Sequence, residues 1–569
     1  MTVILSILLT LLLSACGGGG GGSGAGPVTS APGNSNNAEE QATEEPAPQI
    51  GFTNVTSTSG LDYELRLDVE TSSTDDSLAE VRGIATSGAA AGDYDNDGDI
   101  DLFIVQGDDD SSLLYRNDGN LQFTEVAESA GVAFQGPHWT GPTFADVDGD
   151  GDLDLFIRGL VNSALLMRND GDGTFTDVTD DAGLLFLNPK GMSSAFGDYD
   201  QDGDLDLVTT HWGSPLDREN PGDTEHLWRN DTEGDNIVFT SVSEESQISP
   251  SIAQLPDPNG LNYDADHTFT PTFARIDDDL LPDLLMVADF NQTQYFGNNG
   301  DGTFDNRTDV DVLIDGNGMG SAVGDYDNDG DLDWFVTSIL FPSNDPVANA
   351  PISELGNRLY QNHQGVFSDV TDEAGVADGG WGWGACFIDF ENDGDLDIYH
   401  TNGWSESLPA QPDFPDFDGY AMDISRAFVN QSDGTFEEDA VALGLHDTEM
   451  GRGVVCADFD NDGDTDILLL ANIPILWRND ESGNEYLKVH LIGKPPNTEA
   501  SGTRIILSSE NTSQIREISI GSNFLSQNPA IQLFGLGSDT SADITVSWPD
   551  GAETVMTDVA SGQTLEITQ

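Results

Sequence analysis

One nine-residue stretch, D-x-D-x-D-G-x-x-D, constrains this chain more than any other feature, because it keeps returning along the sequence. It runs through Asp93, Asp95, Asp97, Gly98, Asp99 and Asp101, then Asp146, Asp148, Asp150, Asp152 and Asp154, then Asp198, Asp200, Asp202, Asp204 and Asp206. Later copies hold Asp325, Asp327, Asp329, Asp331 and Asp333; Asp389, Glu391, Asp393, Asp395 and Asp397; and Asp458, Asp460, Asp462, Asp464 and Asp466. A damaged seventh copy spans Arg275 to Asp283, with Leu280 in the glycine position. Carboxylates at positions 1, 3, 5 and 9, with glycine at 6 for a sharp turn, suit a hard cation. Such loops converge oxygens at about 2.3 to 2.6 Å around Ca²⁺.

The loop begins like an EF-hand and then departs from it. Position 12 lacks the bidentate glutamate, and an apolar β-rich run follows in place of a helix, as in Leu102-Phe103-Ile104-Val105. A merely solvated acidic surface would not keep this spacing between apolar runs.

Acidity nevertheless exceeds what calcium needs. Eighteen Lys and Arg face 103 Asp and Glu, a formal charge of -85, of which six divalent ions would cancel only a small part. Such a chain has no basic field to offer phosphates, so nucleic acid is excluded as a partner. The surplus charge suits salt-rich surroundings, where screening weakens self-repulsion.

A second signature accompanies the loops. Phe52-Thr53-Asn54-Val55 returns as Phe123-Thr124-Glu125-Val126, Phe175-Thr176-Asp177-Val178, Phe239-Thr240-Ser241-Val242 and Phe367-Ser368-Asp369-Val370, with looser forms at Phe304 and Phe436. Each unit reads as four short strands, with the aspartate loop between the first two and Arg-Asn pairs such as Arg116-Asn117 closing the third. Seven such units predict an all-β, seven-bladed propeller. The seventh unit lacks its own Phe strand while the chain starts with a spare one at Phe52, so the N-terminal strand is expected to close the ring.

These repeats resemble the FG-GAP/VCBS family, over roughly residues 51 to 480. The resemblance implies calcium between the first two strands of a blade, with about five to six structural ions. The fourth copy is expected to be empty, with Arg275 pairing to Asp277, Asp279 or Asp283 in the ion's place. Before several loops come small residues, at Gly191 to Ser194, Gly318 to Ser321, Trp381 to Gly384 and Met450 to Gly453. Crowding of inner strands at a propeller axis accounts for them, with Trp383 and Arg452 as candidate lining of the channel mouth.

Unequal spacings mark insertions near 209–227, 338–357 and 401–427, and further ones near 61–85 and 246–270. In an antiparallel meander all of these emerge on the face opposite the aspartate loops. His211, Trp212, Trp404, Phe414, Phe417 and Tyr420 are therefore expected to be exposed there. Of these, His211, Trp212, Trp404 and Tyr420 form the candidate ligand face.

Cys386 and Cys456 precede consecutive loops by three and two residues, which predicts side chains on opposite sides of equivalent strands. Buried free thiols are the expected state and a disulfide is the alternative. Residues 1–16 end in Leu13-Ser14-Ala15-Cys16 and resemble a bacterial lipoprotein signal, which implies acylation of Cys16 and an outer-membrane or surface location in the cell envelope. Residues 17–48 read as a flexible Gly/Ser/Glu/Pro tether, and 49–483 as the propeller. Residues 484–569 form a small β domain whose Gly502-Thr503-Arg504, Phe524-Leu525-Ser526-Gln527-Asn528 and Val546-Ser547-Trp548-Pro549-Asp550-Gly551 resemble the ASPIC/UnbV domain of the cartilage acidic protein 1-like family.

The expected function is that of a calcium-stabilised, non-enzymatic adhesion or ligand-binding module for a glycan or an extracellular protein, touching the membrane only through its lipid anchor. An enzyme cleaving polysaccharide or phosphoester is one alternative, although G-x-S-x-G, H-E-x-x-H and P-loop patterns are missing. A structural envelope component is the other.

Overall fold

In every blade the second strand starts at the last aspartate of the loop and runs straight into the core. Asp101–Val105 carries Leu102, Phe103 and Ile104, all fully buried, because the strand is covered on both faces. It lies between an inner strand of small residues, Gly88–Gly92, and an outer pair, Leu113–Asn117 and Phe123–Glu125. The computed structural model describes residues 51–569 apart from 65–80, 82–83, 86, 107–109, 137, 218, 220–221, 235, 254–264, 278, 341–354, 405–422, 481–482 and 522. Cys16, the tether, Phe414, Phe417 and Tyr420 thus lie outside the described residues, as do parts of the expected insertions. Among the described residues no helix is long and apolar enough to cross a membrane.

The four-stranded unit recurs seven times, with inner strands Gly88–Gly92, Trp139–Ala145, Gly191–Gly197, Ala265–Ala274, Ser321–Gly324, Gly382–Ile388 and Val454–Ala457. Each inner strand touches the next, and the last touches the first, so the blades form a closed ring. Phe52–Asn54 completes the seventh blade as expected. Phe52 sits opposite Asn479, the register that Phe123 keeps with Asn117 and Phe175 with Asn169. The Phe side chains cement neighbouring blades by packing on the aromatic residue at position 2 of the preceding loop. Phe175 stacks on Tyr94, Phe304 on Tyr199, and Phe52 meets Phe390 edge-on at 5.6 Å.

Blades 3 and 4 depart from the pattern. The strand Asp206–Pro215 runs ten residues and pairs beyond its blade with the start of Ala265–Ala274, joining both blades into one sheet. The first part of the insertion expected at 209–227, residues 209–215, continues this strand. Cys386 and Cys456 differ too: they form a disulfide between the inner strands of blades 6 and 7, with a Cα–Cα distance of 6.6 Å. The expectation of free thiols failed, whereas the opposite-facing side chains account for the bond: Cys386 faces blade 7 and Cys456 faces blade 6, so the two sulfurs meet in the same seam.

From Glu485 to Thr568 the chain builds two further sheets. One holds Glu485–Ile492 between Gln532–Gly537 and a parallel Gln563–Thr568; the other orders Ser513–Glu517, Arg504–Ser508, Ser541–Ser547 and Glu553–Ala560. Leu487, Val489, Ile505, Leu507, Phe534, Ile544, Val546 and Trp548 close the core between them.

Between those sheets a finger, residues 519–521 and 523–528, enters the bore of the propeller. Ile520–Gly521 pairs with Phe196 and Ala195, and Gln527 grips both the amide and the carbonyl of Phe144 at 2.7 and 2.8 Å. Phe524 and Leu525 are fully buried against Trp383, Phe269, Met192 and Met319. The small residues of the inner strands therefore have a second cause beyond crowding. A Cβ on Gly88 would lie 2.3 Å from the Leu525 carbonyl oxygen, and one on Gly453 would collide with Ser526 Oγ.

Candidate functional site

Backbone amides shape each aspartate loop. In the first, Asp93 accepts the amides of Asp97 and Gly98 at 2.9 and 2.8 Å, drawing the turn tight around the position-1 carboxylate. Asp101, at position 9, accepts the Tyr94 amide at 3.1 Å and the Asn117 amide at 2.7 Å, tying the loop to the third strand. Carboxylate oxygens at positions 1, 3 and 9 then converge. Ligand atoms of Asp93, Asp95 and Asp101 lie within 4.8 Å of one another, as do those of Asp146, Asp148 and Asp154, of Asp198, Asp200 and Asp206, and of Asp325, Asp327 and Asp333.

This arrangement is costly without a cation. Burial raises the Asp101 and Asp333 carboxyls to about 9, and the neighbouring carboxylates add to the rise. Asp154, Asp206, Asp397 and Asp466 are likewise pushed well above the ordinary range by burial. At position 3, Oδ1 of Asp95, Asp148, Asp200 and Asp460 is buried with no hydrogen-bond donor. Three converging carboxylates with unpartnered inward oxygens form an all-oxygen donor set that can coordinate a divalent ion.

The remaining carboxylates have other surroundings. Position 5 is exposed in each intact copy, at Asp97, Asp150, Asp202, Asp329, Asp393 and Asp462. Asp97, for instance, accepts the Asp99 amide at 3.0 Å. At position 7, Asp152 accepts from Asn96, Asp395 from Asn328, Asp464 from Asn392 and Asp99 from Asn461, each at 2.6 to 2.9 Å. These bonds link one loop to the next around the rim. Asp331 instead faces His363 Nδ1 at 3.1 Å, and Asp204 lies against Asp202, with burial and that neighbour raising it to about 8. In the sixth copy Glu391 stands at position 3, beside Asp389, which burial raises to about 8.

The fourth loop corrects the expectation for Arg275. Its guanidinium turns out of the loop to Glu517 at 3.3 Å. Arg307 enters instead, 2.8 Å from Asp277, and the Tyr295 hydroxyl donates to Asp283 at 3.2 Å. Asp283 still accepts the Asn298 amide at 2.8 Å, so position 9 keeps its structural duty where the cation set is lost.

Sequence reasoning treated the Arg-Asn pairs only as strand marks and missed what the asparagine does. In all seven blades, at Asn117, Asn169, Asn230, Asn298, Asn362, Asn430 and Asn479, Nδ2 donates to the position-2 carbonyl of the preceding loop at 2.8 to 3.0 Å. Its sevenfold recurrence at one register was the available signal.

The ligand face needs one correction. His211 is buried, with its ring 4.9 Å from that of His226 and Nδ1 3.4 Å from Arg158. It lies inside the extended strand that joins blades 3 and 4. Trp212 and Trp404 are half-buried. Trp212 donates to Asp289 at 3.1 Å, while Trp404 stacks on Trp381 with centroids 4.2 Å apart, and Trp383 lies near parallel beside both, 6.2 and 6.3 Å away. Arg452 is buried over the Trp383 ring at 4.2 Å and donates to the Gly403 carbonyl, so it braces this stack instead of lining an open channel.

Residues 93–157, 158–209 and 275–336 match the family model of the FG-GAP-like repeat, and residues 493–569 that of ASPIC and UnbV. Among solved structures, the BP39L lectin from Burkholderia pseudomallei gives a TM-score of 0.41 at 10% identity, over 70% of this chain and 98% of that one. At that score the likeness carries no argument. Cartilage acidic protein 1 of Homo sapiens is 24% identical over 84% of this chain and 70% of its own length; that of Mus musculus is 23% identical over 82% and 70%. The Xenopus tropicalis protein of the same name is 22% identical over 82% and 70%. These relatives are animal proteins, which overturns the expectation of a bacterial lipoprotein with an acylated Cys16, a lipid anchor and an outer-membrane address. Over most of its length the chain is thus similar to cartilage acidic protein 1, with segments that match the FG-GAP-like repeat and ASPIC and UnbV, a likeness consistent with a non-enzymatic role.

Proposed function

We propose that the protein is a calcium-stabilised binding module, with residues 49–483 as the ring, residues 484–569 as its companion domain, and a glycan or an extracellular protein as ligand. The observation that carries the calcium reading is the set of buried position-3 oxygens without donors, of which those of Asp95, Asp148 and Asp200 converge with carboxylates at positions 1 and 9. Asp93, Asp95 and Asp101 and their counterparts in the other intact loops would hold the ions. Asp97, Asp99 and the equivalent residues at positions 5 and 7 would shape the loops around them. A bound ion offsets the like-charge repulsion that burial concentrates there, so ion binding becomes folding energy.

Ligand contact is assigned to the opposite face, where Trp212 and Trp404 keep an exposed edge on a rigid aromatic base. A disulfide between Cys386 and Cys456 favours an oxidising compartment. The test has two arms. EGTA should lower the melting temperature by about 10 °C or more, and an unchanged melt would remove calcium from the account. Retention on a panel of matrix polysaccharides and extracellular proteins, run in calcium, should drop for Trp404→Ala without a comparable fall in stability. Retention unchanged by that substitution would place the ligand elsewhere.

A further inference from the structure

The companion domain belongs to one compact unit with the ring and contacts it on the aspartate-loop face. Its contacts are concentrated on the loops. Thr498 donates through its hydroxyl to Asp146 Oδ2, and the Asp146 amide donates to Glu499 at 2.9 Å. Lys488 Nζ donates to Asp458 Oδ2 at 3.0 Å, with both side chains almost fully buried. Asn484 donates to the Glu391 carbonyl at 2.8 Å. At the loop without a cation set, Glu517 receives both Arg275 and Arg504.

The finger reaches the inner strands of all seven blades. Besides Gln527 on Phe144 and Gly521 on Ala195, the Ala89 amide donates to Ser526 Oγ, and Ser519 Oγ donates to the Phe273 carbonyl. The Ser321 amide donates to the Asn523 carbonyl, the Cys456 amide to Asn528 Oδ1, and Asn528 lies against Cys386 Sγ. Leu525, at φ 52, holds a conformation that a branched side chain rarely adopts and that persists only where surroundings dictate it. The bore dictates it here.

We infer that the C-terminal domain functions as a calcium-dependent cap and axle for the ring. It grips the position-1 aspartates of loops 2 and 7 from outside while its finger holds the blades at the axis. This rests on calcium filling the loops, as proposed above. Asp146 Oδ1 accepts the amides of Gly149 and Asp150, and Oδ2 accepts the Gly151 amide and the Thr498 hydroxyl. An ion at positions 1, 3 and 9 fixes that carboxylate in the orientation Thr498 needs. Without the ion, repulsion among three carboxylates loosens the acceptor. Ion binding and docking then favour each other, and linkage makes the effect reciprocal. Loop 7 works against this in part, because the Lys488 ammonium repels a divalent ion. The neutral Thr498 at loop 2 is the cleaner coupler.

Hydrogen exchange on the full chain, in calcium and in EGTA below the melting transition, tests this. Blade 4 serves as internal reference, since its loop lacks the cation set. Removing calcium should speed exchange at the Leu525 and Gln527 amides by about tenfold or more while Leu284 to Met286 stay protected. Thr498→Val should speed finger exchange in calcium and leave blade 4 unchanged. Finger amides equally protected in both conditions, in a protein whose melting temperature EGTA still lowers, would overturn the coupling and leave the calcium reading intact. Finger and blade 4 losing protection together would also overturn it, because ring and cap would then melt as one body. A protein whose melt and exchange both ignore EGTA would fail the calcium reading itself.

Discussion

Asn117 donates through Nδ2 to the carbonyl oxygen of Phe459 at 2.9 Å, a bond that crosses the seam between the first and last loops of the ring. The same bond at six other blades makes the asparagine a regular rivet, and each rivet also fixes the backbone that presents a position-9 aspartate. Ring closure and loop geometry are therefore one device, not two.

Replacing one rivet should be expensive. Asn230 is fully buried and donates to both Val147 and Leu205 carbonyls, at 3.0 and 3.2 Å. Asn230→Ala leaves these acceptors unpaired in a dry site, a loss of about 2 to 4 kcal/mol by urea unfolding. The exposed Asp172→Asn, on an outer turn, should change stability by less than about 0.5 kcal/mol.

Loop occupancy can be counted. Asp206→Asn keeps the shape of a position-9 residue but removes charge from the third site, so calorimetric titration should lose about one ion per chain. Asp283→Asn, in the loop where Arg307 and Tyr295 already occupy the carboxylates, should leave the count unchanged.

The buried histidines predict a stability maximum in pH. Burial pushes His226 down, but the Asp266 carboxylate 2.7 Å away prevails and the His226 pKa is raised; burial pushes Asp266 up, but the same pairing prevails and holds it at about 2. Stability from His226 is complete below the ordinary value near 6.5 and is lost as pH rises through the raised one. Asp266 loses its contribution only as pH falls from the ordinary carboxylate range toward 2. His211 is driven well below its ordinary value by burial, then by His226 and Arg158, and it withdraws stability as pH falls below about 6.5. His267 and His400, lowered mainly by burial to about 4 and about 3, act in the same direction. His226→Gln should flatten the alkaline limb of a stability-against-pH curve and weaken the part of the acid limb that comes from Asp266 and His211, leaving the part from His267 and His400.

The disulfide encloses a 70-residue separation between blades 6 and 7. Reduction, or Cys456→Ala, should lower unfolding free energy by about 2 to 4 kcal/mol. Denaturant curves with and without reductant give the difference, and the alanine variant should show none.

Periodicity made the ring legible. Phe52 as a displaced fourth strand, Asp93 to Asp101 as a loop between strands, and the failing fourth copy all follow from comparing units that share one pattern. Contacts made between unlike units were not legible. Gly521 to Asn528 reads locally as turn and polar residues, and only the assembled bore gives Phe524 and Leu525 a place to be buried. Lys488 and Thr498 lie outside the repeats that hold Asp458 and Asp146, with no shared period to pair them. His211 was misplaced because its strand continues past the length that the other blades teach.

The strand that closes the ring also imposes an order of events. Phe52 leaves the ribosome among the first residues of the fold, but Asn479, its partner, is synthesised after six other blades. For that interval the earliest strand has no mate, and once Ile475–Asn479 emerges its open edge accepts any extended segment of suitable pattern. A neighbouring nascent chain carries an identical Phe52–Asn54. At high local concentration, exchange of this short strand between copies is thus the misassembly to which the architecture is most exposed.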